Sequence, residues 1–521
     1  MRVRIGPRTD ALGMTEQTPD PASLTGRIAQ STGWIVAWRF ATRNLGLLST
    51  LILVRLLDPS DFGLVALGTA FAATGDALSA FGVQDALMRL PSPTRDSYDT
   101  AFSLGVLRGF LTALLIAGSA WLAADFFKEP RLIAVLLALA AGTVITAFEN
   151  IGTVDFRRHM TFQKEFHLQV LSRIVGVVLT IIMALIWHNY WALIGGILVT
   201  RIARLAQSYA MSAYRPSFTL RAWHGLIGFS TWNWAVMVLS QVRDRAESFV
   251  IGRALTTSDV AIFSVGQEIG SLPVTEVIEP LHRALFSAFV LLNNSSEKPR
   301  KLYLDTVEAG FLIILPAGVG ISLVADPLVR LMLGDKWLVA IPIVQIMAAV
   351  STISVFRLIS DAFYSAAGNL RLTFALTAIS AIVRVPLLMV LVSWYGLTGG
   401  AVALGIASLI DQVLYLGITL PRLGIAVSEL AGRLWRAVVA CLAMVAILWL
   451  LGLAWTPTLT VGVMPIATDL FGRAGLGALI YTGVLAALWL TAGRPDGAER
   501  YLLRITCKLG GKLGIPGVTR S

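Results

Sequence analysis

The chain has 521 residues, of which 56% are hydrophobic and 14% charged, and its mean hydropathy is +0.74. A water-soluble domain would need an implausibly large core to hide this much apolar surface, so that class is excluded. The net charge of +11 is concentrated in alternate loops between apolar runs, which is the positive-inside pattern of a membrane protein rather than a nucleic-acid-binding surface. We therefore expect a multi-pass protein of the bacterial inner membrane with both termini in the cytoplasm and no nucleic-acid partner.

Residues 1–27 contain prolines and acids and have no apolar core of the kind a signal peptide needs, so we predict a disordered cytoplasmic tail. Apolar runs long enough to cross a hydrocarbon core of about 30 Å follow almost to the C-terminus. They predict about fourteen membrane-spanning helices. The predicted spans are 32–54, 62–88, 100–123, 131–153, 167–187, 190–211, 228–251, 260–289, 303–325, 339–366, 372–394, 398–420, 434–454 and 473–491.

Two polar stretches have amphipathic character. Residues 155–166 alternate aromatic with basic side chains between the fourth and fifth spans, which predicts an interfacial elbow on the cytoplasmic face. Residues 500–508 predict a second surface-lying helix after the last span. Membrane anchoring is the expected role of both.

An internal repeat appears at an offset of 198 residues, where RLLDPSDFGLVAL from Arg55 aligns without gaps on RALTTSDVAIFSV from Arg253. Six predicted spans separate the copies, and an even number keeps both copies in the same orientation. The repeat is therefore parallel, with a cleft between two six-helix lobes. The resulting division of the chain is a tail at 1–27, an N-lobe at 28–211, a cytoplasmic linker at 212–227, a C-lobe at 228–420, two further helices within 421–492, and a basic cytoplasmic tail at 493–521.

Ionisable side chains at membrane depth cost about 2.5–3.5 kcal/mol each unless they face water or a partner. We assign eight arginines and no lysine to such positions: Arg39, Arg43, Arg108, Arg173, Arg243, Arg245, Arg357 and Arg384. A guanidinium stays charged, and its forked donors match phosphate and carboxylate oxygens. The prediction is a cleft that binds an anionic substrate, and the alternative is that these arginines pair with acids inside the protein or reach an interface.

Three carboxylates also fall at membrane depth, namely Asp76, Asp244 and Glu268. A carboxylate there could bind a proton or a sodium ion and couple transport to an ion gradient. A satisfied salt bridge is the competing interpretation. The sequence contains no phosphate-binding loop of the G-x-x-x-x-G-K-[ST] type and no H-E-x-x-H zinc motif, so we expect no bound cofactor, no metal and no direct ATP drive.

Four stretches carry a resemblance to a known family: RLLDPSDFGLVALGTAF from Arg55, RDRAESFVIGRAL from Arg243, LGDKWLVAIPIVQIMA from Leu333 and SAAGNLR from Ser365. The chain resembles the polysaccharide transporter, or oligosaccharide flippase, family of the MOP superfamily, which also holds lipid II flippases and MATE drug exporters. It departs from the family pattern where Thr256 and Thr257 replace a Gly-Pro-like turn and Ala261 replaces a common glycine.

The resemblance implies an all-α membrane fold with two lobes and two C-terminal helices outside them. It also implies a monomeric, alternating-access exporter of an undecaprenyl-diphosphate-linked anionic oligosaccharide, working among membrane lipids and beside polysaccharide polymerase or export machinery. The alternatives are a multidrug exporter, a lipid II-type flippase, a lipid-linked glycosyltransferase or polymerase, and a scaffold for an export complex. An enzyme would need a larger outer domain with acidic catalytic residues than the predicted loops provide.

Overall fold

The computed structural model describes residues 21–79, 86–88, 90, 92–223, 231–292, 297–458 and 462–493. Within these ranges the chain is helical and contains no strand. The predicted tail is partly helical, because the first helix begins at Pro21. The predicted surface helix at 500–508 lies outside the described residues.

Seven α-helices of the N-lobe lie wholly in the part of the chain that the structure describes, and the fifth is a single short turn. They are α1 Pro21–Leu56, α2 Pro59–Leu78, α3 Arg95–Phe127, α4 Arg131–Ala147, α5 Val154–Arg158, α6 Phe162–Trp187 and α7 Trp191–Met211. Helix α3 packs along α4, α6 packs along both α1 and α7, and α4 also contacts α7. These contacts give one bundle around an apolar core.

The C-lobe and the two helices after it account for the remaining elements. They are α8 Thr231–Ala254, α9 Thr257–Leu292, α10 Glu297–Leu323, α11 Ala325–Met332, α12 Ile341–Ser351, α13 Val355–Ala366, α14 Leu370–Leu423, α15 Val427–Leu450 and α16 Val463–Thr491. Helix α14 runs over 54 residues but is broken at Gly396, whose φ of 60° and ψ of −139° are not helical. Helices α15 and α16 pack on each other and against α10 and α11 at one side of the C-lobe.

Seven of the described helical stretches are long and apolar enough to cross a membrane, or eight if the pair 131–147 and 151–158, bent by 68°, is counted as one span. Helices α1, α8 and α9, which carry cleft arginines or carboxylates, are not among the seven. Charged groups on these helices lower their apolarity, as expected for helices that line a polar cleft. The all-α, multi-pass fold is confirmed, and the count of fourteen spans stays a prediction.

The elbow predicted at 155–166 is present but is packed largely on protein. Helix α5 meets α6 at a turn in which Arg157 lies 2.8 Å from Glu165. Phe156, one of the aromatic residues assigned to the membrane surface, is buried. Tyr98 of α3 donates a hydrogen bond to Asp155. The segment therefore packs against the end of the N-lobe, in addition to any contact with lipid.

The two copies of the internal repeat meet where α1 turns into α2 and α8 turns into α9. A Cβ on Gly63 of α2 would lie 1.5 Å from the carbonyl oxygen of Thr257, so only glycine allows the two helices to cross this closely. Thr256 and Asp259 form a reciprocal capping box at the start of α9. We call this end of the molecule the closed end, defined by Asp58, Gly63, Thr257 and Trp337.

Trp337 fills the space between the lobes at the closed end. Its side chain is fully buried, its indole N–H donates to the carbonyl of Val54 at 3.2 Å, and Phe62 meets it edge-on with ring centroids 5.8 Å apart. Lys336 and Asp58 form an exposed ion pair at 2.7 Å. Exposed pairs contribute little, so the buried tryptophan and the crossing of α2 and α9 at Gly63 hold the lobes together at this end.

Candidate functional site

A buried ion-pair network ties α8 to α14 in the C-lobe. Glu247 is buried and accepts a hydrogen bond from Arg384 at 3.1 Å, and Gln267 of α9 donates to the same carboxylate at 3.4 Å. Arg243 pairs with Asp244 at 2.9 Å, and Arg384 also lies 4.0 Å from Asp244. Arg243 and Arg384, both predicted to bind substrate, are therefore held by acids of the protein itself.

A second network connects α13 to α14. Arg357 lies 3.7 Å from Asp361 one turn later, and Tyr415 donates to Asp361 at 3.1 Å. Ser380 donates to Asp411 at 2.8 Å within α14, across its break. Arg357 thus has a carboxylate partner on its own helix. This favours the interpretation that it pairs with an acid of the protein over the prediction that it binds substrate in a cleft.

The arginines of α1 face the other lobe. Arg43 pairs with Glu276 of α9 and also donates to the Thr275 hydroxyl. This ion pair links the two lobes, and its acid lies on a different helix from Arg43. Arg39 stacks on Trp38 with its guanidinium carbon 5.2 Å from the ring centroid, and its buried Nε has no hydrogen-bond partner.

Arg108 and Asp76 lie together inside the N-lobe. Arg108 donates to the Ser79 hydroxyl at 3.4 Å and to the backbone carbonyl of Asp76 at 3.5 Å. The Asp76 carboxylate is within electrostatic reach of Arg108 and Arg201, and among the described residues no ion pair within 4 Å includes it. Arg108 is therefore bound by neutral oxygens in this structure.

Arg173 and Arg201 line one cavity between α1, α2, α6 and α7. Arg173 is exposed, and its Nη2 lies 3.2 Å from where a Cβ on Gly46 would be. Arg201 donates to the Leu139 carbonyl and to the Thr143 hydroxyl, each at 3.3 Å. Neither arginine is in an ion pair with the residues that the structure describes.

Two other predicted site residues are exposed. Arg245 points away from the α8 network and has no ion pair within the described ranges. Glu268 on α9 is exposed within electrostatic reach of Arg43. In the described part of the chain no cluster of three or more His, Cys, Asp or Glu side chains could hold a metal ion.

The arginines therefore divide by lobe. Those of the C-lobe, except Arg245, have carboxylate partners within their own lobe. In the described N-lobe, Arg39, Arg108 and Arg173 have none, and Arg43 reaches across to the C-lobe. The arrangement gives the N-lobe a surplus of positive charge that a bound anion could neutralise.

Sequence analysis missed three groups that belong to these sites. They are Glu149, Arg201 and Arg204. Arg204 pairs with Glu149 at 2.9 Å on neighbouring helices. Arg201 and Arg204 are three residues apart inside the span predicted at 190–211. This spacing places them on one helical face and could have identified them from the sequence.

The fold is similar to that of two solved transporter structures. The structure of lipid II flippase MurJ in an inward closed conformation matches with a TM-score of 0.67 at 14% identity, covering 88% of this chain and 100% of that chain. An inward-facing MATE family multidrug resistance transporter matches with a TM-score of 0.61 at 15% identity, covering 74% of this chain and 94% of the other. These likenesses establish the two-lobe architecture.

A family model described as polysaccharide biosynthesis protein matches residues 52–342. Since this is more than half of the chain, the protein belongs to that family. Lipopolysaccharide biosynthesis protein WzxC of Escherichia coli K12 is 21% identical over 418 residues, covering 79% of this chain and 85% of WzxC. Succinoglycan biosynthesis transport protein ExoT of Rhizobium meliloti is 22% identical over 333 residues, covering 62% of this chain and 65% of ExoT. The family resemblance inferred from the sequence is confirmed.

Proposed function

We propose that the protein moves a lipid-linked, anionic oligosaccharide from the inner to the outer leaflet of the bacterial inner membrane for polysaccharide biosynthesis. The observation that carries the proposal is the surplus of arginine at membrane depth in the N-lobe of a chain that belongs to a polysaccharide biosynthesis family. A pyrophosphate group, as in an undecaprenyl-diphosphate carrier, is the ligand that forked guanidinium donors suit best. The glycan and pyrophosphate would cross between the lobes while the lipid tail stays in the bilayer.

Alternating access would require the lobes to separate at one end at a time. Among the described residues, α8 packs on α2 and Trp234 donates to the Leu78 carbonyl at the far end of α2. Two further groups of contacts also join the lobes. Trp337 and the Gly63–Thr257 crossing join them at the closed end, and Arg43 joins them through Glu276 nearer the middle of α1. In our proposal the closed end faces outward, and an anionic substrate competes with Glu276 for Arg43.

Coupling to a proton or a sodium ion would need a carboxylate that is not already neutralised. Asp244 is already neutralised by Arg243 and Arg384. It is therefore the least suited of the three predicted coupling groups to bind a proton or a sodium ion. Asp76 and Glu268 have no ion pair within 4 Å among the described residues. We therefore propose these two as the groups on which an ion would act.

Substitution of the cleft arginines tests the proposal in cells. Arg39→Ala and Arg43→Ala are expected to lower polysaccharide export at least about tenfold, the loss that follows from about 1.4 kcal/mol of lost interaction, with build-up of lipid-linked precursor. Lysine variants keep the charge but lose the fork, so intermediate export is expected. Arg243→Ala is expected to lower the amount of folded protein as well, because it leaves Asp244 without its nearest cation.

Surface polysaccharide, precursor and membrane levels of the protein are measured in the same strains. Arg95→Ala removes an exposed arginine at the start of α3 and serves as the matched control. Normal export in all the alanine and lysine variants, at normal protein levels, would show that the arginines are structural and would favour a drug exporter or a scaffold.

A further inference from the structure

The N-lobe contains an open cavity of about 440 Å³ lined by α1, α2, α6 and α7. This volume is in the range of small-molecule binding sites, about 300–1,000 Å³. Its two ends differ in chemistry. Leu53, Phe62 and Leu193 line the end towards the α1–α2 turn, whereas Arg173 and Arg201 line the other.

The cationic end has more positive charge than the protein neutralises. Arg108, Arg173 and Arg201 lie in this part of the N-lobe. Asp76 is within electrostatic reach of Arg108 and Arg201, and Glu149 is within reach of Arg201. The neighbouring Glu149 is engaged by Arg204 at 2.9 Å. Arg201 is half-buried with neutral oxygens as its hydrogen-bond partners, and Arg173 beside it has no ion pair among the described residues, so the arrangement favours an anion at the two guanidiniums.

The hydroxyl groups of the cavity add a second requirement. Thr69, Thr180 and Thr200 donate their protons to carbonyl oxygens of their own helices, at 3.0, 2.6 and 2.7 Å. Their oxygens are then free to act only as acceptors towards a ligand. A ligand that fits must therefore carry an anionic group for the guanidiniums and hydroxyl donors for the threonines.

We propose that this cavity is a binding site for an acidic sugar residue, with its carboxylate or phosphate at Arg173 and Arg201 and its hydroxyl groups at the threonine oxygens. The proposal rests on the proposed function, since the acidic residue would belong to the translocated glycan. The site is distinct from the arginines between the lobes, because its lining comes from the N-lobe alone. It would make the protein selective for glycans that carry a carboxylate or phosphate substituent.

Binding is tested with the purified full-length protein in nanodiscs of phosphatidylcholine, using saturation-transfer difference NMR. Glucuronate is expected to bind and glucose to bind at least tenfold more weakly. Arg173→Ala is expected to weaken glucuronate binding at least tenfold. Gly46→Val keeps the arginine but adds a Cβ 3.2 Å from its Nη2 and two methyl groups beyond it, which should displace the guanidinium, so a similar loss is expected. Arg221→Ala, an exposed arginine outside the cavity, should bind glucuronate as the parent does.

Thermal unfolding of each variant shows whether it is folded. Equal binding of glucuronate to the parent and to folded Arg173→Ala and Gly46→Val would overturn the site. If inorganic phosphate binds as tightly as glucuronate and displaces it, the hydroxyl groups of the sugar have no role and the cavity is a simple anion site. Displacement by nanodiscs that contain phosphatidylglycerol would overturn the sugar and indicate a lipid headgroup. The proposed function is tested separately by deleting the gene. If the purified protein binds glucuronate as expected but the deletion strain does not accumulate lipid-linked glycan, the site is retained and the proposed function is rejected.

Discussion

Replacement of Gly63 by alanine is expected to abolish most export and to lower the thermal stability of the protein. The added Cβ would lie 1.5 Å from the Thr257 carbonyl oxygen and 3.2 Å from the Ala261 amide, both of them backbone atoms that cannot move alone. The α2–α9 crossing would have to open, which displaces Trp337 from its contacts with Val54 and Phe62. Overpacking of this kind typically costs about 1–3 kcal/mol.

Gly105→Ala in α3 is the matched control for this substitution. Nothing lies within 4 Å of a Cβ at Gly105, so alanine there should leave export unchanged and raise helix stability by up to about 1 kcal/mol. Export and the unfolding temperature in detergent are measured for both variants. Wild-type behaviour of Gly63→Ala would mean that the lobes do not meet at Gly63 as described, and would remove the closed end from the mechanism.

Breaking the buried Glu247–Arg384 pair is the second substitution with a large expected effect. Glu247→Gln removes the carboxylate that accepts from Arg384 at 3.1 Å and leaves a buried guanidinium whose Nε already lacks a hydrogen-bond partner. Loss of one member of a buried pair costs about 3–5 kcal/mol. We expect a strong fall in the amount of folded protein in the membrane, measured by fluorescence-detected size-exclusion chromatography.

The double variant Glu247→Leu/Arg384→Met separates structure from transport. Replacing both members of a buried pair by apolar residues of similar size is often neutral or stabilising, so the double variant should recover much of the folded protein. Recovery of folded protein without export would assign the pair a part in transport. Full stability of the single Glu247→Gln variant would contradict the account of a buried pair that ties α8 to α14.

The fold was predictable from the sequence because lipid imposes strong rules on a chain. Apolar runs located the helices, and the repeat from Arg55 and from Arg253 predicted that two equivalent turns would exist. The structure places these turns against each other through Gly63 and Thr257, a contact between segments about 200 residues apart that no local pattern encodes. The elbow at 155–166 was located correctly, but its aromatic periodicity did not reveal that Phe156 packs inside the protein.

The site was less predictable, because pairing depends on which helices are neighbours. Arg243 and Asp244 are adjacent in sequence, and their pairing could be weighed in advance. The partners of Arg43 and Arg384 lie on other helices, at Glu276 and Glu247. Helix spacing shows which residues share a face, but it does not show which face of a second helix lies opposite.

The measurement that tests the central claim most directly uses the purified protein in liposomes that carry a lipid-linked, acidic oligosaccharide in both leaflets. A membrane-impermeant glycosidase is added outside, and the fraction of glycan that it cleaves is followed over time. Our account predicts cleavage approaching completion with the parent protein and a limit of about one half in protein-free liposomes and with Gly63→Ala. The contradicting result is cleavage that stops at about one half with the folded parent protein, both with and without a proton or sodium gradient. It would show that this chain does not translocate lipid-linked glycans.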